Sequence, residues 1–216
     1  IIKMSISSKA LFISFEGIDG CGKSTQVKML IDRFENFEID SILVREPGGT
    51  EISEEIREIL LKNRDINMAD RTEALLMTAS RAQLTSEVIT PALKNGKFVI
   101  ADRFSDSTLA YQGGGRNLEF DWLIKLNQFS TFGVMPNLTF FIDISINEGN
   151  KRRSTLKPDR FENAGNKFQE IVRNQYIKIV KLFPDRIITV DGMESPDTIH
   201  NKIWSEIKMY IDKNEA

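Results

Sequence analysis

Short apolar runs alternate along the chain with longer stretches in which apolar residues recur every three or four positions. Leu11 to Phe15, Ser41 to Val44, Phe98 to Ala101, Leu138 to Ile142 and Ile187 to Val190 are strand-sized, and Gly, Pro, Asp or Asn punctuates each of them. Ser24 to Phe34, with Val27, Leu30 and Ile31 on one side, has helical spacing; so do Ile52 to Lys62, Arg71 to Asn95, Phe168 to Leu182 and Thr198 to Ile211. This alternation predicts an α/β fold of three layers, a five-stranded parallel sheet with helices on both faces. No repeat or low-complexity linker divides the chain, so 10–213 is expected to form one domain behind a disordered or tag-like start at 1–9. Open sheets of this kind bind ligands beyond the carboxyl ends of their strands. Gly17 to Ser24, Arg45 to Thr50, Asp102-Arg103 and the segment after Ile144 are therefore expected around one crevice.

Composition narrows the choice of partners. With 216 residues, 41% of them hydrophobic, the chain can bury one sizeable core. A net charge of -2 provides no general attraction for a nucleic-acid backbone, so any anion site has to come from locally grouped Arg and Lys. Cys21 is the only cysteine, which rules out an intramolecular disulfide and fits a cytoplasmic setting. The apolar runs are far shorter than the roughly 20 residues that span a bilayer, and Ile1 to Met4 lacks the apolar core of a secretory signal. Neither nucleic acid nor membrane is an expected partner.

Gly17-Ile18-Asp19-Gly20-Cys21-Gly22-Lys23-Ser24 satisfies G-x-x-x-x-G-K-[ST] between an expected strand and an expected helix, the context in which that pattern forms a phosphate-binding loop. Glycines let successive N–H groups turn toward phosphate oxygens, and the helix start adds its positive dipole end. The expectation is a P-loop NTPase fold that binds ATP and Mg²⁺, with Lys23 reaching the β and γ phosphates and Ser24 on the metal. Cys21 lies at a helix amino terminus, where thiols acidify, yet reads as an unreactive occupant of a variable loop position. Asp102, at the end of an apolar strand, is the second metal candidate. Lys151, Arg152, Arg153 and Arg160 flank the polar stretch Ser154 to Asp159, which suggests a lid around 151–162 able to lay positive charge on a transferring phosphate. No general base stands out, and His200, the sole histidine, is expected at the surface. A phosphate monoester, whose second pKa is about 6, needs no base at neutral pH. It needs cations, for which Arg45, Arg81, Arg103, Arg153 and Arg160 are candidates.

Several segments together resemble the thymidylate kinases of the bacterial type. They are Phe15-Glu16-Gly17-Ile18-Asp19-Gly20 through Ser24-Thr25, Arg45-Glu46-Pro47-Gly48-Gly49-Thr50, Glu73-Ala74-Leu75-Leu76 with Ser80-Arg81, Asp102-Arg103-Phe104, and Ala110-Tyr111-Gln112-Gly113-Gly114-Gly115-Arg116. The resemblance runs from about Leu11 to about Tyr176. It implies transfer of the γ-phosphoryl group of ATP to dTMP, with Mg²⁺, in a homodimer. Gly17, Ile18, Asp19, Gly20, Cys21, Gly22, Lys23, Ser24, Thr25 and Arg152 would bind ATP, Arg152 against the adenine. Arg45 and Arg103 would hold the acceptor's phosphate, and Asp19 would lie near its 3′-hydroxyl. Arg81 would hydrogen-bond the thymine edge, Thr108 and Tyr111 would line base and deoxyribose, and Tyr111 would crowd out a ribose 2′-hydroxyl. Gln112 would support that pocket. Lys23, Asp19, Arg103 and the lid cation Arg153 would carry the chemistry. Four residues before Arg81, where the family usually places a Phe that stacks on thymine, stands Met77, on the same helix face and able to contact a ring through its thioether. The polar stretch also lacks the Arg that bacterial relatives often carry there, and Gly20 is not basic, which leaves Arg153, Lys157 or Arg160 to supply the lid charge.

Two other readings use the same residues. A deoxynucleoside kinase would deprotonate a sugar hydroxyl with a carboxylate such as Glu46. A nucleotide-dependent switch would hydrolyse its nucleotide to change a surface, but the N-K-x-D element of GTPase switches is missing and a switch has little use for a second, Arg-lined pocket.

Overall fold

The computed structural model describes residues 10–63, 65–153, 160–161 and 164–215. The start at 1–9 and the greater part of the expected lid, Lys157 included, lie outside the described residues. Strands β1 (Phe12–Glu16), β2 (Ser41–Arg45), β3 (Phe98–Asp102), β4 (Leu138–Asp143) and β5 (Ile187–Asp191) form one parallel sheet in the order β2-β3-β1-β4-β5. All five expected strands are present, and each reaches one residue further toward its carboxyl end than its apolar run. The added residues are Glu16, Arg45, Asp102, Asp143 and Asp191. The ladder thus continues through a charged side chain at the same edge of every strand, and the register holds Phe15 and Arg45 level with Asp102.

Because β1 is central, its whole length is buried, and its side chains alternate between two cores. Phe12 joins Val99 and Ala101 of β3, Leu84, Ile89 and Phe104. Ile13 and Phe15 join Phe98 and Ile100, Val27, Leu30 and Phe34 of α1 (Lys23–Asn36), and Val172, Tyr176 and Ile179 further on. Each such side chain contributes about 1.5–3 kcal/mol by leaving water, which is why continuous apolar runs rather than alternating ones mark these strands.

The remaining helices are α2 (Glu51–Leu61), α3 (Asp70–Leu84), α4 (Thr90–Lys94), α5 (Ser105–Thr108), α6 (Phe120–Ser130), α7 (Ile146–Arg153), α8 (Asn166–Leu182) and α9 (Pro196–Glu215). The single helix expected over Arg71 to Asn95 is interrupted by a π-helical turn, Thr85–Ile89. Pro91 has no N–H to bond the carbonyl of Glu87 and its ring crowds that carbonyl, so the helix widens just before it. A second π-helical segment, Leu109–Gly115, follows α5 and carries three glycines. A Cβ on Gly114 would come within 2.5 Å of the Gln175 Cβ, and one on Gly115 within 2.5 Å of the Phe168 ring. These glycines are what allow α8 to pack directly on that segment.

His200 is not at the surface. It lies on α9 beside the apolar stripe Ile199, Ile203, Ile207 and Ile211, where the helix turns toward α1, and only 7% of it is exposed. Its Nδ1 has no hydrogen-bond partner among the described residues, and burial, with Arg33 nearby, holds its pKa below the ordinary value. The sign follows from that depression. The neutral form is favoured in the folded state, so stability is full above the unfolded value of about 6.5 and declines as pH falls below it. Chemical denaturation from pH 8 to pH 5 should therefore show a loss of stability through this range that is smaller in His200→Phe; identical pH profiles would sink this account.

Candidate active site

The carboxyl edge of the sheet opens into one crevice of about 810 Å³. Its walls bring together all four segments expected there: Asp19 to Gln26, Arg45 to Pro47, Asp102 with Arg103, and Arg152 with Arg153. At one end lie Gln26, Arg152, Gly192 and Pro196, and at the other Leu61, Met77, Arg81, Thr108, Tyr111, Gln112 and Phe161.

The glycine loop runs from β1 into α1. Gly17, Gly20 and Gly22 all have φ between 80° and 141°, a backbone region that side chains disfavour. A Cβ on Gly17 would meet the Ile142 carbonyl at 2.6 Å, and one on Gly20 the Gly149 carbonyl at 2.6 Å and the Arg153 Cγ at 3.2 Å. The loop is thus wedged between β4 and α7. Helix α1 has no acidic residue in its first turn and no side chain capping its first N–H groups, so its positive end is left open to an anion. Lys23 is buried and donates to the carbonyls of Gly17 and Ile18, both at 3.1 Å, with the buried Cys21 Sγ at 3.6 Å. The Ser24 hydroxyl donates to Asp102 Oδ2 at 2.9 Å, joining the loop to the end of β3.

Arg103 follows in a left-handed conformation, φ 72°, its N–H bonded to the Phe15 carbonyl. That bend turns its guanidinium back over the loop. It donates to the Gly17 carbonyl at 2.9 Å, pairs with Asp19, and lies 5.1 Å from the centre of the Tyr111 ring. Burial alone would raise the Asp19 carboxyl; Arg103 and Lys23 outweigh it and hold Asp19 below its ordinary value, an anion at neutral pH. Behind Arg103 sits a carboxyl that sequence reasoning missed. Glu16 is fully buried and accepts the Phe104 N–H, the Ser107 hydroxyl and the Tyr176 hydroxyl at 2.6–2.8 Å. Burial and the neighbouring Asp106 push it up to about 7.

The wall at the other end is built around Arg81. It is buried, and its five N–H groups go to the Glu46 carboxylate, Thr108 Oγ1, Asn127 Oδ1 and the Phe104 carbonyl at 2.6–3.2 Å. Arg81 lines the crevice, yet it can donate to a ring edge there only by exchanging one of these partners. Glu46, the carboxylate a nucleoside kinase would use as a base, is held by two nitrogens of Arg81; burial raises its carboxyl while Arg81 opposes the rise. Tyr111 is buried with its ring and hydroxyl beside Arg103, and Gln112 donates to Glu73 at 2.8 Å. Arg45 is half-exposed on the rim and pairs with Glu54 at 2.7 Å, which the Gly49 N–H also binds. Thr50 caps α2 by accepting the Ser53 N–H, which fixes where Glu54 stands.

Of the three lid-charge candidates, Arg153 lines the crevice beside Gly20, Lys157 lies outside the described residues, and Arg160 is committed elsewhere: it donates to Glu73 at 2.6 Å and to the Leu60 carbonyl at 2.7 Å. Arg152 donates to Glu148 and to the Gly192 carbonyl at the far end.

A family model described as Thymidylate kinase matches residues 15–203. The chain belongs to the thymidylate kinase family. Curated thymidylate kinases agree in extent: that of Kosmotoga olearia is 47% identical over 94% of this chain and 98% of its own length. That of Fervidobacterium nodosum is 46% identical over 93% and 100%, and that of Chlorobaculum tepidum 44% over 94% and 99%. The segments on which the likeness to thymidylate kinases first rested are those that meet in the crevice, although they are scattered from Phe15 to Arg116. Asn127, Phe161 and Tyr176 join them only in the folded chain.

Breaking a buried ion pair on one side leaves the other charge stranded at a cost of about 3–5 kcal/mol. Arg81→Leu should lose about that much in urea denaturation, and the double variant Arg81→Leu/Glu46→Leu should recover a good part of it. A loss under about 1 kcal/mol, or no recovery, would show that the pair does not organise this wall.

Proposed function

We propose that this chain transfers the γ-phosphoryl group of ATP to thymidine monophosphate, giving ADP and thymidine diphosphate for deoxythymidine nucleotide synthesis, in a cytoplasmic setting. The observation that carries this reading is the union, in one crevice, of an open helix terminus with its glycine loop and an Arg-lined second pocket in which, among the described residues, Glu46 and Asp19 are each held by a guanidinium and neither is a free base. A nucleoside hydroxyl would need such a base. The phosphate of a monophosphate, already dianionic, would not.

In this reading Gly17 to Thr25 cradle the triphosphate, and Lys23 leaves its loop carbonyls for the β and γ oxygens. Arg152 lies along the adenine. Arg45 and Arg103 take the acceptor's phosphate, Asp19 its 3′-hydroxyl, and Met77, Arg81, Thr108, Tyr111 and Gln112 its base and sugar. Arg153, beside the loop, screens charge on the phosphoryl group in flight. Among the described residues no group of three or more His, Cys, Asp or Glu could hold a metal ion unaided. Ser24 and Asp102, whose oxygens already lie 2.9 Å apart, are hard donors suited to Mg²⁺, which is commonly held by one or two carboxylates plus substrate phosphates. Mg²⁺ would supply a Lewis acid that offsets phosphate charge. None of the described helices is long and apolar enough to cross a membrane.

The deciding assay is Mg²⁺-dependent ADP formation with thymidine monophosphate, thymidine, uridine monophosphate or no acceptor. Turnover selective for thymidine monophosphate is expected; turnover on thymidine alone, or without acceptor, would refute the proposal. Arg45→Ala should raise KM for the monophosphate about 10- to 100-fold, the worth of one charge-assisted contact, and leave KM for ATP within about threefold.

A homodimer is part of the same proposal. α3 packs beside both α2 and α6, and these helices with the turn after α6 leave Ile52, Ile59, Leu75, Trp122, Phe129 and Phe132 exposed, Phe129 by 83%. So much exposed aromatic and aliphatic surface on neighbouring helices suits a second copy. Light scattering should find a dimer that Phe129→Glu converts to monomer. A monomeric parent protein, or a variant that stays dimeric, would exclude this face.

A further inference from the structure

Strand periodicity puts Ser14 and Glu16 on one face of β1, and the Ser14 hydroxyl lies 2.8 Å from that of Thr139 on β4. Two buried carboxyls lie along this polar seam. Asp106 of α5 is neutralised: Arg186 donates to both of its oxygens, at 2.6 and 2.8 Å, and to Thr139. Glu16 is met by uncharged donors instead. Its Oε1 accepts the Phe104 N–H at 2.8 Å, and its Oε2 accepts the hydroxyls of Ser107 at 2.6 Å and Tyr176 at 2.8 Å.

All three donors bear on Arg103. Phe104 is the next residue, so its bond to Glu16 fixes the left-handed bend from behind. Because Ser107 and Tyr176 give their protons to Glu16, their oxygens are left as acceptors toward the Arg103 Nη1, at 3.4 and 3.5 Å, the same nitrogen that bonds the Gly17 carbonyl. A proton on Oε2 would have to be donated to one of the two hydroxyls, which would then turn its own hydrogen away from Glu16, toward the other hydroxyl or Arg103. The charged groups that face Glu16 are Arg103, Asp106 and Arg186, with the Tyr176 phenol beside them. Arg103 and Arg186 stay cationic and Tyr176 stays neutral, whereas burial and Asp106 bring Glu16 to about 7, where both of its forms are populated.

We propose that Glu16 is a positioning residue for the acceptor-phosphate site: its anion, through the Phe104 N–H and the Ser107 and Tyr176 hydroxyls, holds Arg103 where the acceptor's phosphate is met, and a proton on Glu16 releases that hold. The inference rests on the reading above in which Arg103 takes that phosphate, and adds to it a buried proton site that governs the arginine.

The test is the pH dependence of kcat/KM for thymidine monophosphate at saturating ATP and Mg²⁺, on the whole protein. The acceptor's own phosphate takes up a proton with a pKa of about 6 and Glu16 takes up a second, so below this range the parent should lose about a hundredfold per pH unit. Glu16→Gln, which keeps the shape and cannot change charge, should lose only about tenfold per pH unit, with a value at pH 8 about tenfold below the parent and KM for ATP within about twofold. Tyr176→Phe removes one donor from the anion and should move the upper step to higher pH by about one pH unit, which the loss of a merely structural contact would not do. A parent that loses only tenfold per pH unit, a folded Glu16→Gln with the parental slope, or a Tyr176→Phe whose upper step has not moved overturns the inference. If Glu16→Gln does not fold, the Tyr176→Phe profile decides. Failure of the parent protein to turn over thymidine monophosphate overturns the acceptor reading instead, and this inference with it.

Discussion

Taking a guanidinium out of water is tolerable only if all of its N–H groups find acceptors inside, and Arg81 finds them in several different parts of the chain. From α3 it binds Glu46 after β2, the Phe104 carbonyl after β3, Thr108 on α5 and Asn127 on α6. The second half of the crevice is organised by this requirement. The segment after β2 and the bend after β3 meet at one cation, so the wall they form cannot drift apart without stranding a charge. Such networks are costly to build and therefore discriminating: only one arrangement of the four segments satisfies every donor.

The first half obeys a different constraint, that of parallel register. Since Phe15 of β1 and Arg45 of β2 are level with Asp102 of β3, Arg45 and Asp102 emerge at the same height and the glycine loop begins two residues beyond Phe15. The loop's position then follows from the sheet, and the Ser24–Asp102 bond closes the distance between neighbouring strands. Arg103 joins the two halves, reaching the loop carbonyl and Asp19 on one side and the Tyr111 ring on the other. Its left-handed backbone is a strained choice for a side chain of that size, and Glu16 stabilises the bend by accepting the next N–H.

The fold was largely legible because buried parallel strands read as unbroken apolar runs and the glycine loop has a fixed spacing. The strand ends were one residue off because a charged residue at a ladder's end pairs through its backbone, whatever its side chain. The π-helical turns escaped notice since the 3.6 period has no signature for an inserted residue. His200 shows the limit of reading burial from polarity: it sits beside a stripe, not opposite it. Buried carboxylates were the larger omission. Glu16 and Glu73 stand among the segments that carry the resemblance, but nothing in the sequence assigns them a role, and only the convergence of Ser107 and Tyr176 on one, and of Arg116 and Arg160 on the other, reveals their work. Arg160 likewise read as a lid cation because its charge was visible and its partner was not.

The close approach of Gly20 to Gly149 and Arg153 has an implication for how such loops can vary. A side chain at position 20 would project into the space that the backbone of α7 and the stem of Arg153 occupy, so this position of the loop can lie against α7 only while it is bare. Because the tighter of the two contacts is with the Gly149 carbonyl, shortening Arg153 alone would not make room there; the helix itself would have to move away from the loop, and the crevice would widen with it.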